Sequence, residues 1–253
     1  MKIISAGATD PGKIRANNED AYLVQDELGL YVVADGIGGH AGGEVASRFA
    51  VETIAAALPD LLGEKNRTPP QGLSAEGDPE IAALRAALVL ANRKIRRERE
   101  LQPKLADMGT TLTGLLAKRG RAFLMHIGDS RAYLLRSGEL RQLTNDHSLV
   151  AEQVQAGALT LEQARRSPYR HVITRALGIH EEILTDTGMQ NLKKDDIFLL
   201  CTDGLTEMVN DQEIATSLAK SSPQDAVREL VDKANRAGGV DNITVVVIRI
   251  AEV

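Results

Sequence analysis

The stretch VADGIGGHAGGE, residues 33–44, joins an apolar run to a helical pattern. Residues 30–34 are continuously apolar, which predicts a buried strand, and Asp35 follows that strand directly. Five residues of the stretch are glycine, so the backbone can turn tightly and come close to a bound group. The stretch therefore has two interpretations: a phosphate-binding turn for a nucleotide, or a strand end that presents the carboxylate of Asp35.

The nucleotide interpretation depends on the glycine spacing. Gly36, Gly38 and Ala41 fit the pattern G-x-G-x-x-G/A. In a dinucleotide-binding fold, a second parallel strand should follow within about 30 residues. Here the helical pattern of residues 44–58 is followed by a second helix, and the next strand is predicted near Thr111. The order of the elements therefore favours the interpretation based on Asp35.

The composition is that of a globular protein of 253 residues, with 43% apolar residues, 26% charged residues and a net charge of −5. The acidic balance gives no basic face for nucleic acid, and no run of about 18 apolar residues could span a membrane. The single cysteine, Cys201, excludes a disulfide framework within the chain. The first residues lack the long apolar segment of a signal peptide. We therefore expect a cytoplasmic, soluble protein that binds neither nucleic acid nor a membrane, and separately we expect it to be a monomer.

Short strands dominate the predicted secondary structure. Apolar and β-branched runs predict strands at residues 3–8, 21–25, 30–34, 111–117, 122–127, 132–135, 140–143, 183–189, 197–201 and 243–250. Helical patterns cover residues 44–58, a segment capped by Asp78 and a segment that starts at Ser222. Residues 63–77 are rich in proline, glycine and polar residues, which predicts an exposed connection between the first two helices. This order favours an antiparallel helix pair packed on a sheet.

Residues 145–178 interrupt the series of strands. Short helical patterns occur there at residues 149–155, 161–166 and 172–177. The segment is therefore expected to be a helical insertion on a β scaffold.

Four aspartates stand beside apolar strands. They are Asp35 after YVVA, Asp129 after FLMHIG, Asp203 after FLLCT, and Asp241 just before NITVVVI. Taken singly, each of these aspartates is typical of a turn. Strand ends of a common sheet can bring carboxylates together, and buried carboxylates need a positively charged partner. Oxygen ligands without a grouping of cysteine and histidine suit Mg²⁺ or Mn²⁺ rather than zinc, so the four together predict a metal centre.

Six motifs follow one another along nearly the whole chain. They are TDPGKIRANNEDAY (9–22), VADGIGGHAGGE (33–44), GTTLTGLL (109–116), HIGDSRAYLLRSGEL (126–140), LLCTDGLTE (199–207) and DNITVVVI (241–248). Together they resemble the metal-dependent protein phosphatases of the phosphatase 2C (PPM) family, in their short bacterial form. The resemblance implies an α+β fold, a four-layer α-β-β-α sandwich of two antiparallel sheets flanked by antiparallel helix pairs. It also implies one catalytic domain, residues 1–253, with residues 145–178 as a helical flap beside the active site.

The resemblance also implies the ligands of the metal ions. Asp35 is expected to bridge two ions, and the carbonyl oxygen of Gly36 is expected to bind one of them. Asp203 and Asp241 complete the protein ligands of the other ion. Asp129, together with Asp203, matches the third-metal site of bacterial members. The small residues around Asp35 then serve to let the backbone fold tightly around a bound metal.

Further positions carry over from the first two motifs. Glu19 and Asp20 are expected at the edge of the metals, directly or through water, and Arg15 is expected to hold the substrate phosphate, since a guanidinium suits bidentate phosphate binding. One position departs from the family: many eukaryotic members have a histidine where this chain has Ile37, which cannot protonate a leaving group. His40 lies close by in sequence, and its role could equally be to link the site to solvent or to support the structure. The identity of the general acid stays open, and a metal-bound water is the default candidate.

The activity implied by the resemblance is hydrolysis of phosphoserine and phosphothreonine on proteins, with two Mn²⁺ or Mg²⁺ ions in the core site and a third beside it. The implied partners are phosphorylated proteins, either targets of a bacterial Ser/Thr kinase or the kinase itself. One alternative is a catalytically inactive phosphatase-like binding module, which would be expected to lack metal ligands. Another is a dedicated phosphatase of a sigma-factor partner-switching pathway, which would be expected to carry a fused sensor domain.

Overall fold

The computed structural model describes residues 1–38, 42–63 and 78–253, and most of their strands form two antiparallel sheets. The strands are β1 (Lys2–Asp10), β2 (Asp20–Gln25), β3 (Leu30–Ile37), β4 (Gly109–Thr110), β5 (Leu112–Lys118), β6 (Arg121–Ile127), β7 (Arg131–Arg136), β8 (Glu139–Gln142), β9 (Asp186–Asn191), β10 (Ile197–Cys201) and β11 (Ile243–Glu252). One sheet has the order β1-β11-β10-β7-β8. The other has the order β2-β3-β5-β6-β9, and the short β4 pairs with β3.

The described residues form seven α-helices, of which the four longest cover the outer faces of the two sheets. The seven helices are α1 (Gly42–Leu62), α2 (Pro79–Leu101), α3 (Leu149–Gln155), α4 (Leu161–Arg166), α5 (Asp203–Thr206), α6 (Asp211–Lys220) and α7 (Pro223–Ala237). Helices α1 and α2 pack against each other and on the sheet that contains β3. Helices α6 and α7 pack on the sheet that contains β10. The predicted α+β sandwich of two antiparallel sheets with flanking helices is therefore confirmed.

Strand β3 explains why its whole sequence is apolar. Successive side chains of a strand point to opposite faces, so Tyr31 and Val33 lie in the core between the sheets, together with side chains of β7, β10 and β11. Leu30, Val32 and Ala34 instead pack in the core beneath α1 and α2. A strand between two cores has no polar face, and its carboxylate appears only where it emerges, at Asp35.

Several local predictions agree with the structure. The side chain of Asp78 caps α2 by accepting a hydrogen bond from the Glu80 N–H at 3.2 Å, and Ser222 caps α7 by accepting one from the Asp225 N–H at 3.2 Å. Helix α1 extends beyond the predicted residues 44–58 at both ends. The predicted connection falls almost entirely on residues 64–77, which lie outside the described residues.

The segment 145–178 differs in part from its prediction. Its first two predicted helices are present as α3 and α4, but the predicted helix at residues 172–177 is wrong. Those residues instead form isolated β-bridges, between Ser148 and Ile173 and between Thr110 and Leu177. The β-branched residues at positions 172–174 favour extended backbone, and the bridges supply its hydrogen-bond partners.

Two further elements differ from their predictions. The strand predicted at residues 183–189 is displaced towards the C-terminus, because β9 pairs with β6 from Asp186 onwards. Helix α6 was not predicted, although Asn210 and Glu213 form a reciprocal capping box, a pattern that is readable in the sequence. Among the helices of the described ranges, none is long and apolar enough to cross a membrane.

Candidate metal centre

The strand order brings the four predicted aspartates to one end of the sandwich. Strands β3 and β6 both pair antiparallel with β5, so Asp35 in β3 and Asp129 after β6 lie at the same edge of their sheet. Strands β10 and β11 are antiparallel to each other, so Asp203 and Asp241 share one edge of the other sheet. Burial raises the pKa of Asp35 well above its usual range, and the charges of Asp20, Asp203, Asp129 and Asp241 raise it further. The carboxylates of both sheets therefore form one electrostatic cluster.

Two threonines hold the backbone of Asp35 in place. The Asp35 N–H donates to the hydroxyl of Thr111 at 3.0 Å. The Asp35 carbonyl accepts from the Thr111 N–H at 2.9 Å and from the Thr110 hydroxyl at 2.8 Å. These contacts leave the Asp35 carboxylate as the part of the residue that is directed into the site. The motif GTTLTGLL therefore contributes by fixing a strand end.

Asp20 joins the two sheets beneath the site. It pairs in register with Asp35, and its Oδ2 accepts hydrogen bonds from Thr202 at 2.8 Å and from Thr244 at 2.6 Å, both on the opposite sheet. Its Oδ1 is buried and has no hydrogen-bond partner among the described residues. Burial raises the pKa of Asp20 to about 7, although the two hydroxyls oppose that shift.

Asp203 and Asp129 also have buried oxygens without partners. In each residue the Oδ1 atom is buried and accepts no hydrogen bond from the described part of the chain. Burial, followed by the charge of Asp241, raises the pKa of Asp203 to about 6. Burial and the charge of Asp203 raise the pKa of Asp129 well above its usual range. These carboxylates are costly to ionise until a cation joins them.

Arg15 faces this cluster from the loop between β1 and β2. Its Nη2 donates to Oδ2 of Asp241 at 2.7 Å, and about half of its side chain is exposed. A cavity of about 230 Å³ is lined by Arg15 and by four of the acidic or small residues of the site, Glu19, Asp35, Gly36 and Asp241. The cavity is open to solvent, with carboxylates at its base and the guanidinium of Arg15 at its rim. A cation bound to the carboxylates, together with this guanidinium, could therefore bind an anion in the cavity.

Asn242 fixes the loop that carries Arg15. Its Nδ2 donates to the carbonyls of Pro11 and Asn17 at 3.0 and 2.9 Å, and its Oδ1 accepts from the Glu19 N–H at 2.7 Å. One buried amide therefore sets the position of the loop relative to the strand that follows Asp241. The sequence by itself indicated no role for Asn242.

The glycines beside Asp35 are required by close backbone approach. A Cβ on Gly36 would lie 2.6 Å from the Glu19 carbonyl oxygen and would overlap the carbonyl of Gly43. A Cβ on Gly43 would overlap the carboxylate of Glu19. The start of α1, the end of β3 and the loop before β2 therefore meet without space for another side chain.

The residues present fit a divalent metal. Their donors are oxygen atoms, three of the carboxylates have a buried oxygen that finds no partner in the described part of the chain, and an ion pair joins Arg15 to Asp241. Mn²⁺ and Mg²⁺ are cations that such a set accommodates. The like charges that raise the pKa values of these aspartates are the charges that a bound cation would offset.

The sequence of this chain matches a known protein family. Residues 13–236 match the sequence profile of the family described as protein phosphatase 2C. The chain belongs to the protein phosphatase 2C family. It is 40% identical over 247 residues to the serine/threonine protein phosphatase PstP of Mycobacterium tuberculosis, covering 98% of this chain and 45% of PstP. It is 38% identical over 245 residues to the serine/threonine phosphatase stp of Listeria welshimeri, covering 95% of this chain and 93% of that protein. This chain thus spans less than half the length of PstP but most of the Listeria protein.

Solved structures of protein phosphatase 2C relatives superpose closely on this chain. The crystal structure of M. tuberculosis PstP/Ppp has a TM-score of 0.86 at 40% identity and covers 99% of both chains. The catalytic domain of PstP in complex with two manganese ions has a TM-score of 0.82 at 39% identity, again with 99% of both chains covered. A relative with this fold therefore binds manganese.

The residues expected from the protein phosphatase 2C motifs lie together in the structure. The residues that the sequence singled out, which are brought to the same end of the sandwich, are Arg15, Glu19, Asp20, Asp35, Gly36, Asp129, Asp203 and Asp241. Ile37 ends β3 beside them and offers no proton. His40 lies outside the described residues.

Some residues that build the site were missed by sequence reasoning. The hydroxyls of Thr202 and Thr244 hold Asp20, and the amide of Asn242 holds the loop of Arg15. Each stands within three residues of an aspartate that had been singled out, in the motifs CTDG and DNIT. Their position beside these aspartates could have indicated a role in the site, because polar side chains in otherwise apolar strands need buried hydrogen-bond partners.

Proposed function

We propose that this protein is a metal-dependent phosphatase that hydrolyses phosphoserine and phosphothreonine on proteins. The observation that carries the proposal is the meeting of five aspartates from two sheets, three of which have a buried carboxylate oxygen with no hydrogen-bond partner among the residues that the structure describes. Membership of the protein phosphatase 2C family, and relatives named serine/threonine phosphatases, support the reaction class.

The core site is proposed to hold two ions, and its ligands are divided between them. Asp35 would contribute to both ions, the Gly36 carbonyl would bind one of them, and Asp203 and Asp241 would complete the ligands of the other. Asp129, with Asp203, would hold a third ion. When bound, Mn²⁺ or Mg²⁺ activates water as a nucleophile and offsets the negative charge of the phosphate. The crystal structure of the PstP catalytic domain in complex with two manganese ions supports a core site that takes two divalent ions, Mn²⁺ or Mg²⁺.

The remaining acids shape the edge of the site. Glu19 and Asp20 orient water around the ions or contact them directly. Asp20 suits this role because Thr202 and Thr244 fix one of its oxygens and leave the other buried and available. Ile37 supplies no general acid, and we take water in the site as the default source of the proton for the leaving group.

Arg15 binds the phosphate of the substrate. Its guanidinium stands at the rim of the cavity with one N–H on Asp241, and a guanidinium has five N–H donors in all. The free donors can form a bidentate pair with phosphate oxygens. Arg15 thereby orients the phosphorus atom relative to the carboxylate cluster at the base of the cavity.

The domain and its partners follow from the same proposal. Residues 1–253 form one catalytic domain, and residues 145–178 form a flap beside the active site. The substrates are proteins phosphorylated by a Ser/Thr kinase, or that kinase itself, since such an enzyme makes phosphoserine and phosphothreonine on proteins. The phosphatase acts as a monomer in the cytoplasm.

The test measures phosphate release from a phosphothreonine peptide. With Mn²⁺ present, the purified protein should release phosphate, and excess chelator should stop the reaction. Asp203→Asn should lower kcat by about 100-fold or more, because loss of a ligand should exceed the 10–100-fold cost of losing a second-layer contact. Asp232→Asn, a matched change at an exposed position of α7, should leave kcat unchanged.

Two results would contradict the proposal. Full activity in excess chelator would exclude the metal-dependent reaction. Metal binding without any hydrolysis would favour the inactive binding module, although every acidic position of the motifs is retained in this chain.

A further inference from the structure

A second cavity lies beside helix α2, outside the carboxylate cluster. It has a volume of about 290 Å³, and five side chains line it: Arg96, Arg99, Glu100, Ala106 and Ile179. Both arginines belong to the charged run RKIRRERE, residues 93–100, near the C-terminal end of α2. Residues three apart on a helix share a face, so the two guanidinium groups lie on the same side of α2. The proposed reaction assigns no role to either of them.

We propose that this cavity binds an acidic side chain of the phosphoprotein substrate, about three to five residues away from the phosphorylated residue. The proposal rests on the proposed phosphatase function and adds a second point of contact with the substrate. A guanidinium pairs with a carboxylate through two parallel N–H···O bonds, a geometry that an ammonium group does not offer. Two guanidinium groups on one wall of a cavity therefore favour a carboxylate as the bound group.

Arg99 is held in position by backbone carbonyls. Its Nε donates to the Ala106 carbonyl at 2.8 Å, and its Nη1 donates to the Gly178 carbonyl. Asn92, two turns earlier in α2, fixes the same backbone, because its Oδ1 accepts from the Gly178 N–H at 2.7 Å. Within the described part of the chain, no hydrogen bond uses the Nη2 of Arg99. One guanidinium is thus preorganised, with donors left for a ligand.

Arg96 is the less constrained of the two arginines. Its guanidinium forms no hydrogen bond with the described residues, and its ion pair with Glu181 is long, at 3.9 Å. The Glu181 side chain is 83% exposed, so water screens this pair and it stabilises little. Only 29% of the Arg96 side chain is exposed, and a guanidinium largely withdrawn from water needs hydrogen-bond acceptors. A carboxylate of the substrate can replace Glu181 and supply them.

The remaining walls favour a peptide over a free ion. Ala106 and Ile179 are apolar, and Ile179 is 39% exposed. The volume of about 290 Å³ is roughly ten times the ~30 Å³ that one water occupies. An inorganic anion would leave most of that space empty and would gain nothing from an apolar wall. A glutamate or aspartate side chain with its neighbouring backbone can use both.

The cavity lies one pair of strands away from the proposed metal centre. Ile179 packs on Gly109, because a Cβ added to Gly109 would come within 2.8 Å of the Ile179 Cδ1. Gly109 in β4 pairs with Ile37 in β3, which directly follows Gly36 of the metal site. Paired strands lie about 4.8 Å apart, so this cavity and the cavity at the metal site are separated by on the order of 10–15 Å. An extended peptide rises about 3.3 Å per residue and covers that distance in about three to five residues.

The experiment compares phosphothreonine peptides that differ in one distant residue. Glutamate or glutamine is placed about three, four or five residues from the phosphothreonine, on either side, and kcat/KM is measured with Mn²⁺ present. The best glutamate peptide should exceed its glutamine partner by about 10-fold, mainly through a lower KM, since a charge-assisted contact is worth at least that factor. Arg96→Ala should remove this advantage and leave the glutamine peptides unaffected. Arg97→Ala is the matched control, because Arg97 is an exposed neighbour that does not line the cavity, and it should keep the advantage.

A binding measurement separates this site from the proposed reaction. With excess chelator, an unphosphorylated glutamate-rich peptide should shift the amide NMR signals of residues 96–106 and 179 in the unaltered protein and in Arg97→Ala, but not in Arg96→Ala. These shifts do not depend on hydrolysis, so a failure to hydrolyse any peptide would contradict the proposed function and not the acidic site.

Three results would overturn the acidic site. The first is the absence of these NMR shifts, whatever the outcome of the phosphatase assay. The second is an equal kcat/KM for the glutamate and glutamine peptides at every spacing in an active enzyme. The third is the same shifts with inorganic phosphate at equal affinity, because they would show a site for a free anion.

Discussion

At the scale of the residue, Arg15 shows how one side chain can serve two partners. Its ion pair with Asp241 is exposed, with 56% of the arginine side chain accessible, and such pairs stabilise a protein by only about 0–1 kcal/mol. The importance of Arg15 should therefore appear in substrate binding rather than in folding. The charge of Asp241 also holds the guanidinium at the cavity rim before any substrate arrives.

Arg15→Ala should lower kcat/KM for a phosphopeptide by about 10–100-fold, mainly through a higher KM, because one charge-assisted contact contributes about 1.5–3 kcal/mol. Its melting temperature should change little. Arg15→Lys keeps the charge but loses the planar pair of donors, so its kcat/KM should lie between that of the unaltered protein and that of Arg15→Ala. Steady-state kinetics and thermal unfolding of the same preparations test this. A KM unchanged in Arg15→Ala would remove Arg15 from the phosphate site.

At the scale of the element, helix α5 is positioned by a backbone contact. Gly204, the second residue of α5, lies against the carbonyl of Asn242, and a Cβ at Gly204 would overlap that carbonyl oxygen. The contact joins the start of α5 to the residue after Asp241. It therefore fixes the relative positions of Asp203 and Asp241, two of the proposed ligands.

Gly204→Ala should destabilise the protein by about 1–3 kcal/mol, because the added methyl group forces the backbone apart. A loss of stability would be informative, because helix propensity alone favours alanine over glycine by about 1 kcal/mol and would predict a gain. Affinity for Mn²⁺ should fall as well, because Asp203 moves. Gly188→Ala in β9 is the matched control: its added Cβ would make only ordinary contacts, the nearest at 3.8 Å. Chemical denaturation and Mn²⁺ titration of both variants measure the difference, and equal stability would contradict the steric argument.

At the scale of the whole molecule, the aspartate cluster links folding to pH and to metal. The pKa of Asp20 is about 7 and that of Asp203 about 6 in the folded protein, against 3.8 in an unconstrained aspartate. Between about pH 4 and pH 7 the folded metal-free chain therefore binds more protons than the unfolded chain. Its free energy of unfolding must then decrease as the pH rises through that window.

The metal-free protein should accordingly melt at a higher temperature at about pH 5 than at about pH 7.5. Added Mn²⁺ should raise the melting temperature more at about pH 7.5, because metal ligands must be deprotonated. Differential scanning calorimetry at the two values, with and without Mn²⁺, tests both statements. Asp20→Asn, which removes one of the titrating groups, should reduce the pH dependence. A stabilisation by Mn²⁺ that is the same at both pH values would argue against binding at these carboxylates.

The sequence alone determined the strand pattern and the identity of the acids. Residues 30–34 read as a buried strand because no face of β3 is polar, and Asp35, Asp203 and Asp241 stood out because each interrupts or borders such a strand. The side chains of a strand repeat every two residues and those of a helix every 3.6, so these patterns need only local sequence. Where local preference and context disagreed, at residues 172–177, the prediction of a helix was wrong.

The tertiary structure decided which groups meet. Asp20 finds its partners Thr202 and Thr244 at sequence separations of 182 and 224 residues, and His171 of the segment 145–178 meets Glu207, which follows α5. No periodicity encodes such contacts, because they depend on which strand ends share an edge and on how two sheets stack. The charges of buried carboxylates act through space in a medium of low dielectric constant, so the pKa values that define this site exist only once the sheets have packed.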